Sequence, residues 1–483
     1  MIRAATVTSN AHGVDRLNIK PYHVFSVEGH AYLVKLLSNR VYPIAQDEEY
    51  ALRLFLEKGE PLDERLAEKY GLIGGEADYE TGRKRRWDQI FAGRKIYCLE
   101  LMMAQECNLR CAYCYGDGQF GGRGIMSDET VLGALDWFLA SAEGKQYPPG
   151  SELSVSFFGG EPLLNYPMIK RAIEYLHDER GRKDISFSIT TNLTLLTDEM
   201  LAFFKSRRVS LLISFDGRMQ RLYRRYASGA DSYETVSQNI RKALSVLPAS
   251  CGRGTLYGEG DMEQMTDDLL QIGFRYGYIN GASGSLISGT VLKDKQDWYR
   301  VLVATYPEKT RRYLNAIKER DEEAYRRLSF DQEFMNAVGR GWNPSRNMLS
   351  CGGGRTMVAV DVKGDIYPCH RFVGVKEMRM GSICTPFDQL HTGEFADHVG
   401  FHQERCRDCF LRFTCGGSCM HESYCDVGMP DEAPTIHRTF DTFCQYRRLC
   451  AELAIHTERM LNAQDRAWLR GIRAKPGASE EKA

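Results

Sequence analysis

The chain has 483 residues, 43% of them hydrophobic and 26% charged, with a formal net charge of −1. That length carries about three domains at ~100–200 residues each, and the near-neutral balance argues against a nucleic-acid backbone as the main partner. No run of 18 or more apolar residues occurs, which argues against a transmembrane helix, and Met1 to Asp15 lacks the apolar core of a secretory signal, so the expected location is cytoplasmic.

Fifteen cysteines are the unusual feature. In a chain read as intracellular they point to metal or redox chemistry rather than a disulfide framework. None precedes Cys98, three crowd between Cys107 and Cys114, and nine lie between Cys351 and Cys444. The clustering predicts a metal-free N-terminal region, a central region with one site and a cysteine-dense C-terminal region.

Residues 1–90 read as a small α+β module. Alternation over 22–27 and 30–37 predicts two strands joined at Glu28-Gly29, with a third over 41–44. Helical spacing of apolar residues follows over 48–56 and 62–70. Strands followed by short helices are the layout of a winged-helix module. The basic run Arg83-Lys84-Arg85-Arg86 reads as a solvated linker.

From residue 91 the pattern becomes strand then helix. Strands are expected over 98–103, 153–158, 185–190 and 209–215, and helices over 127–142 (Ser127 at the N-cap), 166–179, 198–206 and 235–247. This rhythm means βα units and a parallel sheet. Residues 294–345 read as a charged helical bridge, 346–455 as the cysteine-rich domain and 456–483 as a terminal helix and tail, with 477–483 disordered.

Cys107-Asn108-Leu109-Arg110-Cys111-Ala112-Tyr113-Cys114 places three thiols on one loop behind the first of these strands. Three thiolates can hold three irons of a 4Fe–4S cluster and leave the fourth iron open; a zinc site would want a fourth nearby ligand. The triplet, with Tyr113 before its last cysteine, resembles the signature of the radical S-adenosylmethionine (radical SAM) enzymes. The resemblance implies a partial (β/α)6 TIM-like barrel in which SAM chelates the open iron and is cleaved to a 5′-deoxyadenosyl radical. Gly159-Gly160-Glu161-Pro162 resembles the family's GGEP motif, whose small residues permit close backbone approach and whose carboxylate suits an ammonium. Thr191-Asn192 resembles its TNG segment with Leu193 in place of glycine, and Ser214-Phe215-Asp216-Gly217 resembles its SLDG segment. The implied SAM contacts are Tyr113, Gly159, Gly160, Glu161, Pro162, Asn192, Ser214, Asp216 and a downstream arginine, Arg225 or Arg224, with Arg225 preferred.

Seven C-terminal cysteines follow the order Cys351, Cys369, Cys406, Cys409, Cys415, Cys419 and Cys444. Their spacing resembles the SPASM domain, which implies two auxiliary 4Fe–4S clusters and three clusters in all. By that resemblance Cys351, Cys369 and Cys419 serve the first auxiliary cluster, and Cys406, Cys409, Cys415 and Cys444 complete the second. The fourth ligand of the first stays open between Cys425, Cys384 and a substrate thiolate. Cys98 and Cys450 are read as packed thiols. His370 stands where sulfatase maturases carry a catalytic Asp, and either a catalytic or a hydrogen-bonded structural histidine is expected there. Ile366-Tyr367-Pro368-Cys369-His370-Arg371-Phe372-Val373-Gly374 and Cys114-Tyr115-Gly116-Asp117-Gly118 resemble the thioether-forming maturases, of the quinohemoprotein amine dehydrogenase and ranthipeptide type.

These resemblances imply a maturase acting on a precursor peptide or small protein subunit, with a flavodoxin or ferredoxin as electron donor and no nucleic-acid or membrane partner. The N-terminal module would bind a leader segment at a sheet edge. Two rivals are a radical SAM enzyme making a carbon–carbon or ether link, and a zinc-structured winged-helix transcription factor. The second rival needs a basic recognition helix, whereas Asp63, Glu64 and Glu68 offset Arg65 and Lys69.

Overall fold

Alternating apolar residues near the N-terminus build a sheet with two buried faces. The computed structural model describes residues 22–35, 40–72, 96–118, 120–142, 152–282, 293–342, 351–392, 406, 409–411, 415–425 and 441–473. The linker run at 83–86, the tail at 477–483 and residues 36 and 37 lie outside these. Strands β1 (Tyr22–Val27), β2 (His30–Lys35) and β3 (Arg40–Ile44) form an antiparallel sheet in that order. Val24, Ala31, Leu33 and Ile44 pack on the module's own helices through Leu52, Phe55, Ala67 and Tyr70. Phe25, Tyr32 and Val34, pointing the other way, pack on Phe410, Leu411, Ala451 and Ile455 near the C-terminus. The strand period of two thus assigns one face to each partner.

That second face buries a histidine. The Tyr32 hydroxyl lies 3.0 Å from Nδ1 of His456, whose exposure is 1%, with His30 the nearby basic group. Burial holds the His456 pKa at about 4. The folded value is below the unfolded one, so the folded state binds fewer protons as pH falls. Stability from this group is therefore full above about pH 6.5 and declines toward pH 4. His456→Gln is expected to flatten an acid-side loss of about 1–3 kcal/mol, read from urea melts at pH 7.5 and 5.

Six parallel strands run from one edge of a nine-stranded sheet. They are β4 (Cys98–Ala104), β6 (Ser154–Gly159), β7 (Ser186–Thr191), β8 (Ser210–Ser214), β10 (Cys251–Leu256) and β11 (Tyr276–Gly281). Each step to the next crosses a helix: Asp128–Ala142, Tyr166–Glu174, Asp198–Ser206, Tyr233–Val246 and Met262–Ile272. The boundaries follow local chemistry. The Ser127 hydroxyl accepts the Thr130 N–H at 3.2 Å, and Thr197 and Asp261 cap the helices they precede.

Four of the six strands fall within a residue or two of the sequence expectation; β10 and β11 were not located by it. Both carry glycines that read as breakers, and packing explains them. A Cβ at Gly252 would sit 2.9 Å from Leu269 and Phe274, and one at Gly281 would sit 2.6 Å from Trp298. The glycines let helices lie close on the sheet.

The cysteine-rich region is not a separate layer. Strand β12 (Met357–Val360) pairs parallel with β4, Met357 opposite Cys98 and Val360 opposite Leu101. Strands β13 (Asp365–Tyr367) and β14 (Gly381–Ser382) continue the sheet antiparallel. The sheet order is β11-β10-β8-β7-β6-β4-β12-β13-β14. The helices Lys293–Glu319 and Glu322–Ser329 follow, and the former packs on the helix Asp441–Met460.

Candidate active site

Chain topology gathers the functional loops at one end of the parallel strands, where α/β sheets place their ligands. The cysteine loop leaves β4 and is fixed by a ribbon of β5 (Leu109–Cys111) and β9 (Arg224–Tyr226), in which Cys111 pairs with Arg224 and Arg110 with Arg225. Beside it the chain leaves β6 through Gly159 and Gly160. The Gly160 N–H donates to the Ala104 carbonyl at 2.8 Å, and the Glu161 N–H to the Glu106 carbonyl at 3.0 Å. Only glycine tolerates this zipper, because a Cβ on Gly159 or Gly160 would overlap the carbonyl oxygens of Ala104 and Glu106.

These loops line a cleft that is partly open to solvent. Cys107, Cys111, Cys114 and Tyr113 line it with Gly159, Gly160, Asn192 and Ser214. Asn192 donates to Asn108 at 3.0 Å and reaches Cys107 Sγ at 3.6 Å. Sequence reading placed all eight of these residues in the site.

The structure gives four of the expected residues other partners. Arg225 turns away from the cleft, is exposed and donates to the Gly229 carbonyl. Alternation along β9 puts Arg224 inside instead, buried, with Nη1 donating to the Tyr113 hydroxyl at 2.7 Å. Asp216 accepts from the same Tyr113 hydroxyl and from the Thr255 N–H, so it positions Tyr113 from behind rather than lining the cleft. Glu161 does not face the cleft either. Its carboxylate accepts from Leu163 N–H (3.0 Å), the Thr191 hydroxyl (2.7 Å) and Asn192 N–H (2.7 Å). Burial pushes its pKa up to about 7 against those three bonds. It ties the ends of β6 and β7 together, while Pro162 starts the short helical turn behind it.

His370 was the fourth expectation, as a catalytic group. Its Nδ1 lies 2.8 and 2.9 Å from the two Glu100 oxygens, its own N–H donates to Glu100, and its ring stacks on Phe158 at 4.2 Å. It is not among the residues lining the cleft; it pins the loop after Cys369 to β4.

Sequence reading missed Arg253, Thr255, Asn280 and Arg371 on the cleft wall. A signal existed in Cys251-Gly-Arg-Gly-Thr-Leu: small residues alternate with large ones, and the period of two separates the helix-facing glycines from Arg253 and Thr255. Three arginines and no carboxylate line the cleft among the described residues. Arg224→Gln is expected to weaken SAM binding by about 10–100-fold through loss of a buried charged donor. Arg225→Gln should stay within about twofold; anaerobic equilibrium dialysis distinguishes the two.

The C-terminal cysteines form two further groups. Cys351, Cys369 and Cys419 lie within electrostatic reach of one another and of Arg371, and Cys351 and Cys369 belong to the same apolar cluster as Phe120, Phe158 and Phe372. Cys406, Cys409 and Cys444 surround Arg448, and Cys415 sits beside Arg447. Cys384 does not join either group. It is exposed in the turn after β14, whose Thr385 carbonyl is held by Trp137 on the outer helix. Cys450 is buried in the core, as expected of a packed thiol, and Cys98 is half-buried in β4.

The donor set fits iron–sulfur clusters. Backbone N–H groups of Leu109 and Gly353 already donate to Cys107 and Cys351 Sγ, each at 3.3 Å. Burial pushes the Cys107 and Cys111 thiols up to about 11 and about 12, so a bound metal must displace their protons. The buried Nε atoms of Arg224, Arg447 and Arg448 and the Tyr115 hydroxyl lack partners among the described residues, and each lies beside a cysteine group.

Residues 101–272 match the family model of the radical SAM superfamily. The chain carries a radical SAM domain. Within that domain lie the cysteine loop, the Gly159-Gly160 turn, Asn192, Ser214 and Arg224. The radical SAM cyclopropyl synthase TigE of Paramaledivibacter caminithermalis is 29% identical over 180 residues, 35% of this chain and 36% of TigE, so the match spans about a third of that relative. Among solved structures, anSMEcpe with bound AdoMet superposes with a TM-score of 0.55 at 18% identity, covering 77% of this chain and 99% of the other. Streptococcus suis SuiB bound to precursor peptide SuiA gives a TM-score of 0.50 at 16% identity, covering 88% and 99%. At these identities the structures establish the shared fold. No helix among the described residues is long and apolar enough to cross a membrane. The radical SAM domain sets aside the zinc-structured transcription factor.

Proposed function

We propose that this radical SAM enzyme matures a precursor peptide or small protein subunit by forming an intrapeptide bond between a cysteine sulfur and a carbon. The observation that carries this reading is Arg371, which lines the cleft and stands beside Cys369 and Cys419. Through β12 on β4, the Cys351–Cys369–Cys419 wall stands next to the SAM cleft, with Arg371 between them. When bound, SAM and its 4Fe–4S cluster supply the hydrogen-abstracting radical, and the auxiliary clusters take up the electron released on bond formation. The overall change removes two electrons and two hydrogens from the peptide, which suits a chain with redox groups beyond the SAM cluster.

The residues of the chain divide the work. Cys107, Cys111 and Cys114 would hold the SAM cluster, Arg224 and Ser214 would take the SAM carboxylate or ribose, and the Gly159-Gly160 turn beside Asn192 would hold the SAM amino group. Cys406, Cys409, Cys415 and Cys444 hold the second auxiliary cluster. Cys351, Cys369 and Cys419 hold the first with one iron open for a substrate thiolate. Two placements support that opening. Cys384 is exposed on the outer side of the sheet. Cys425 lies six residues beyond Cys419, ~9 Å along a helix, and packs in the main core rather than with Cys351 and Cys369. The N-terminal module would present the leader by strand addition at the edge of its sheet, and reduced flavodoxin or ferredoxin in the cytoplasm would deliver the first electron.

Two structural neighbours carry bound peptides: SuiB the precursor peptide SuiA, and anSMEcpe the Cp18Cys peptide. The experiment is mass spectrometry of a cysteine-containing peptide encoded beside this gene, before and after reaction with reduced enzyme and SAM. A loss of about two hydrogens per link, with thiols that resist both reduction and alkylation, is the expected result. A modified peptide whose cysteines still alkylate would instead show the carbon–carbon or ether alternative.

A further inference from the structure

The turn that follows β7 carries a strained residue. Leu193 lies at φ +60°, a left-handed conformation that a side chain disfavours, and three contacts hold it there. Its N–H donates to the Thr191 hydroxyl at 2.9 Å, its carbonyl accepts from Asn239 at 2.9 Å, and its side chain is fully buried. Strain maintained by its surroundings is a pointer to function, and this turn aims the Asn192 amide at the cysteine loop. Asn192, Asn108 and Thr194 close a ring of hydrogen bonds that runs in one direction. Asn192 Nδ2 donates to Asn108 Oδ1 at 3.0 Å, Asn108 Nδ2 to the Thr194 hydroxyl at 2.8 Å, and that hydroxyl to Asn192 Oδ1 at 2.7 Å. The Thr194 N–H also donates to Asn192 Oδ1, at 3.0 Å. A backbone N–H can only donate, so it fixes which end of the Asn192 amide is oxygen. The second hydrogen of Nδ2 falls to Cys107 Sγ, 3.6 Å away, beside the Leu109 N–H at 3.3 Å. Both hydrogens and both lone pairs of this buried amide are therefore engaged within the chain.

We propose that Asn192 is a positioning residue that tunes the SAM cluster, and not a ligand of SAM: its amide, locked by Asn108 and Thr194, donates to the Cys107 sulfur and raises the reduction potential of the cluster that sulfur holds. A donor to a ligand sulfur stabilises the more negative, reduced cluster, so its loss lowers the potential. The ring adds to this effect. An amide whose oxygen already accepts two bonds is the stronger donor through its nitrogen, so the Thr194 hydroxyl acts on Cys107 without touching it. The inference rests on the assignment of Cys107 to the SAM cluster and not on which peptide bond is made.

The test is an anaerobic redox titration of the full-length, reconstituted protein followed by electron paramagnetic resonance, with neither SAM nor peptide present. The SAM cluster is the signal lost in Cys111→Ala. At full iron content, Asn192→Ala should cut the reduced fraction of that signal about tenfold at a fixed low potential, a fall of about 59 mV for one electron. Thr194→Val, which opens the ring without touching Cys107, should shift the midpoint the same way and by less. Thr194→Ser, which keeps the hydroxyl, should leave it unmoved. Equilibrium dialysis on the same proteins is the second readout, and Asn192→Ala should bind SAM as the unsubstituted protein does. If Asn192→Ala fails to load the cluster, the contrast between Thr194→Val and Thr194→Ser decides. A midpoint that holds at full iron content, SAM binding lost in Asn192→Ala, or valine and serine behaving alike at Thr194 would overturn the proposal. A spectrum untouched by Cys111→Ala would overturn the cluster assignment itself.

Discussion

Alanine at Cys107, Cys111 or Cys114 is expected to abolish reductive SAM cleavage and lower the iron content by about four per chain. The triplet has no reserve. Three thiols and no other Cys, His, Asp or Glu line the cleft among the described residues, so a lost ligand has no neighbour to replace it. Arg224 and the Leu109 N–H, both aimed at this group, would face a hole. The remaining cysteine groups lie on other elements and should keep their irons. Cys384→Ala, on the exposed turn after β14, should match the unsubstituted protein in iron and in turnover. Iron assay and chromatography of 5′-deoxyadenosine read both outcomes, and retained cleavage in any of the three variants would refute the assignment.

A single methyl group at Gly160 is expected to be nearly as damaging. The added Cβ would meet the Glu106 carbonyl carbon and oxygen and the Cys107 nitrogen, which are backbone atoms that cannot rotate away. Either β6 or the cysteine loop must shift, and the two bonds that zip them, Gly160 to Ala104 and Glu161 to Glu106, go with it. Overpacking costs about 1–3 kcal/mol and each lost buried bond about another 1 kcal/mol. A displacement of the cluster loop by ~1 Å is enough for a ~100-fold loss in turnover. Gly181→Ala is the open-space control: it lies at positive φ, which Gly160 does not, and has nothing within 4 Å. It should lose only ~1 kcal/mol through backbone strain and keep full SAM cleavage. Thermal melts and turnover of the pair separate strain from loop displacement.

The site was legible in the sequence where its chemistry is local. Cluster ligands must be cysteines at short spacing, so Cys107, Cys111 and Cys114 announce themselves, and one helix start is written in Ser127. Residues whose role depends on a distant partner were harder. Choosing between Arg224 and Arg225 needs the three-residue ribbon of β5 and β9, which has no hydrophobic pattern of its own. Strands β10 and β11 were hidden because their glycines answer to side chains such as Leu269 and Trp298, far along the chain. Glu161 carried a motif's expected role, yet the backbone donors of Leu163 and Asn192 claim its carboxylate. His370 likewise is explained by Glu100, 270 residues earlier.

The pairing of β12 with β4 has a consequence for how the protein is made. Until residues 357–360 have been synthesised, β4 is the outer strand of the parallel sheet. Its backbone groups face solvent, and six of its seven residues are buried in the finished fold. A nascent or truncated chain ending before residue 346 would present that strand as a template for aggregation. Soluble expression therefore requires the cysteine-rich region even for variants that need only the SAM site, and iron loading of the two halves cannot be uncoupled by cutting the chain between them.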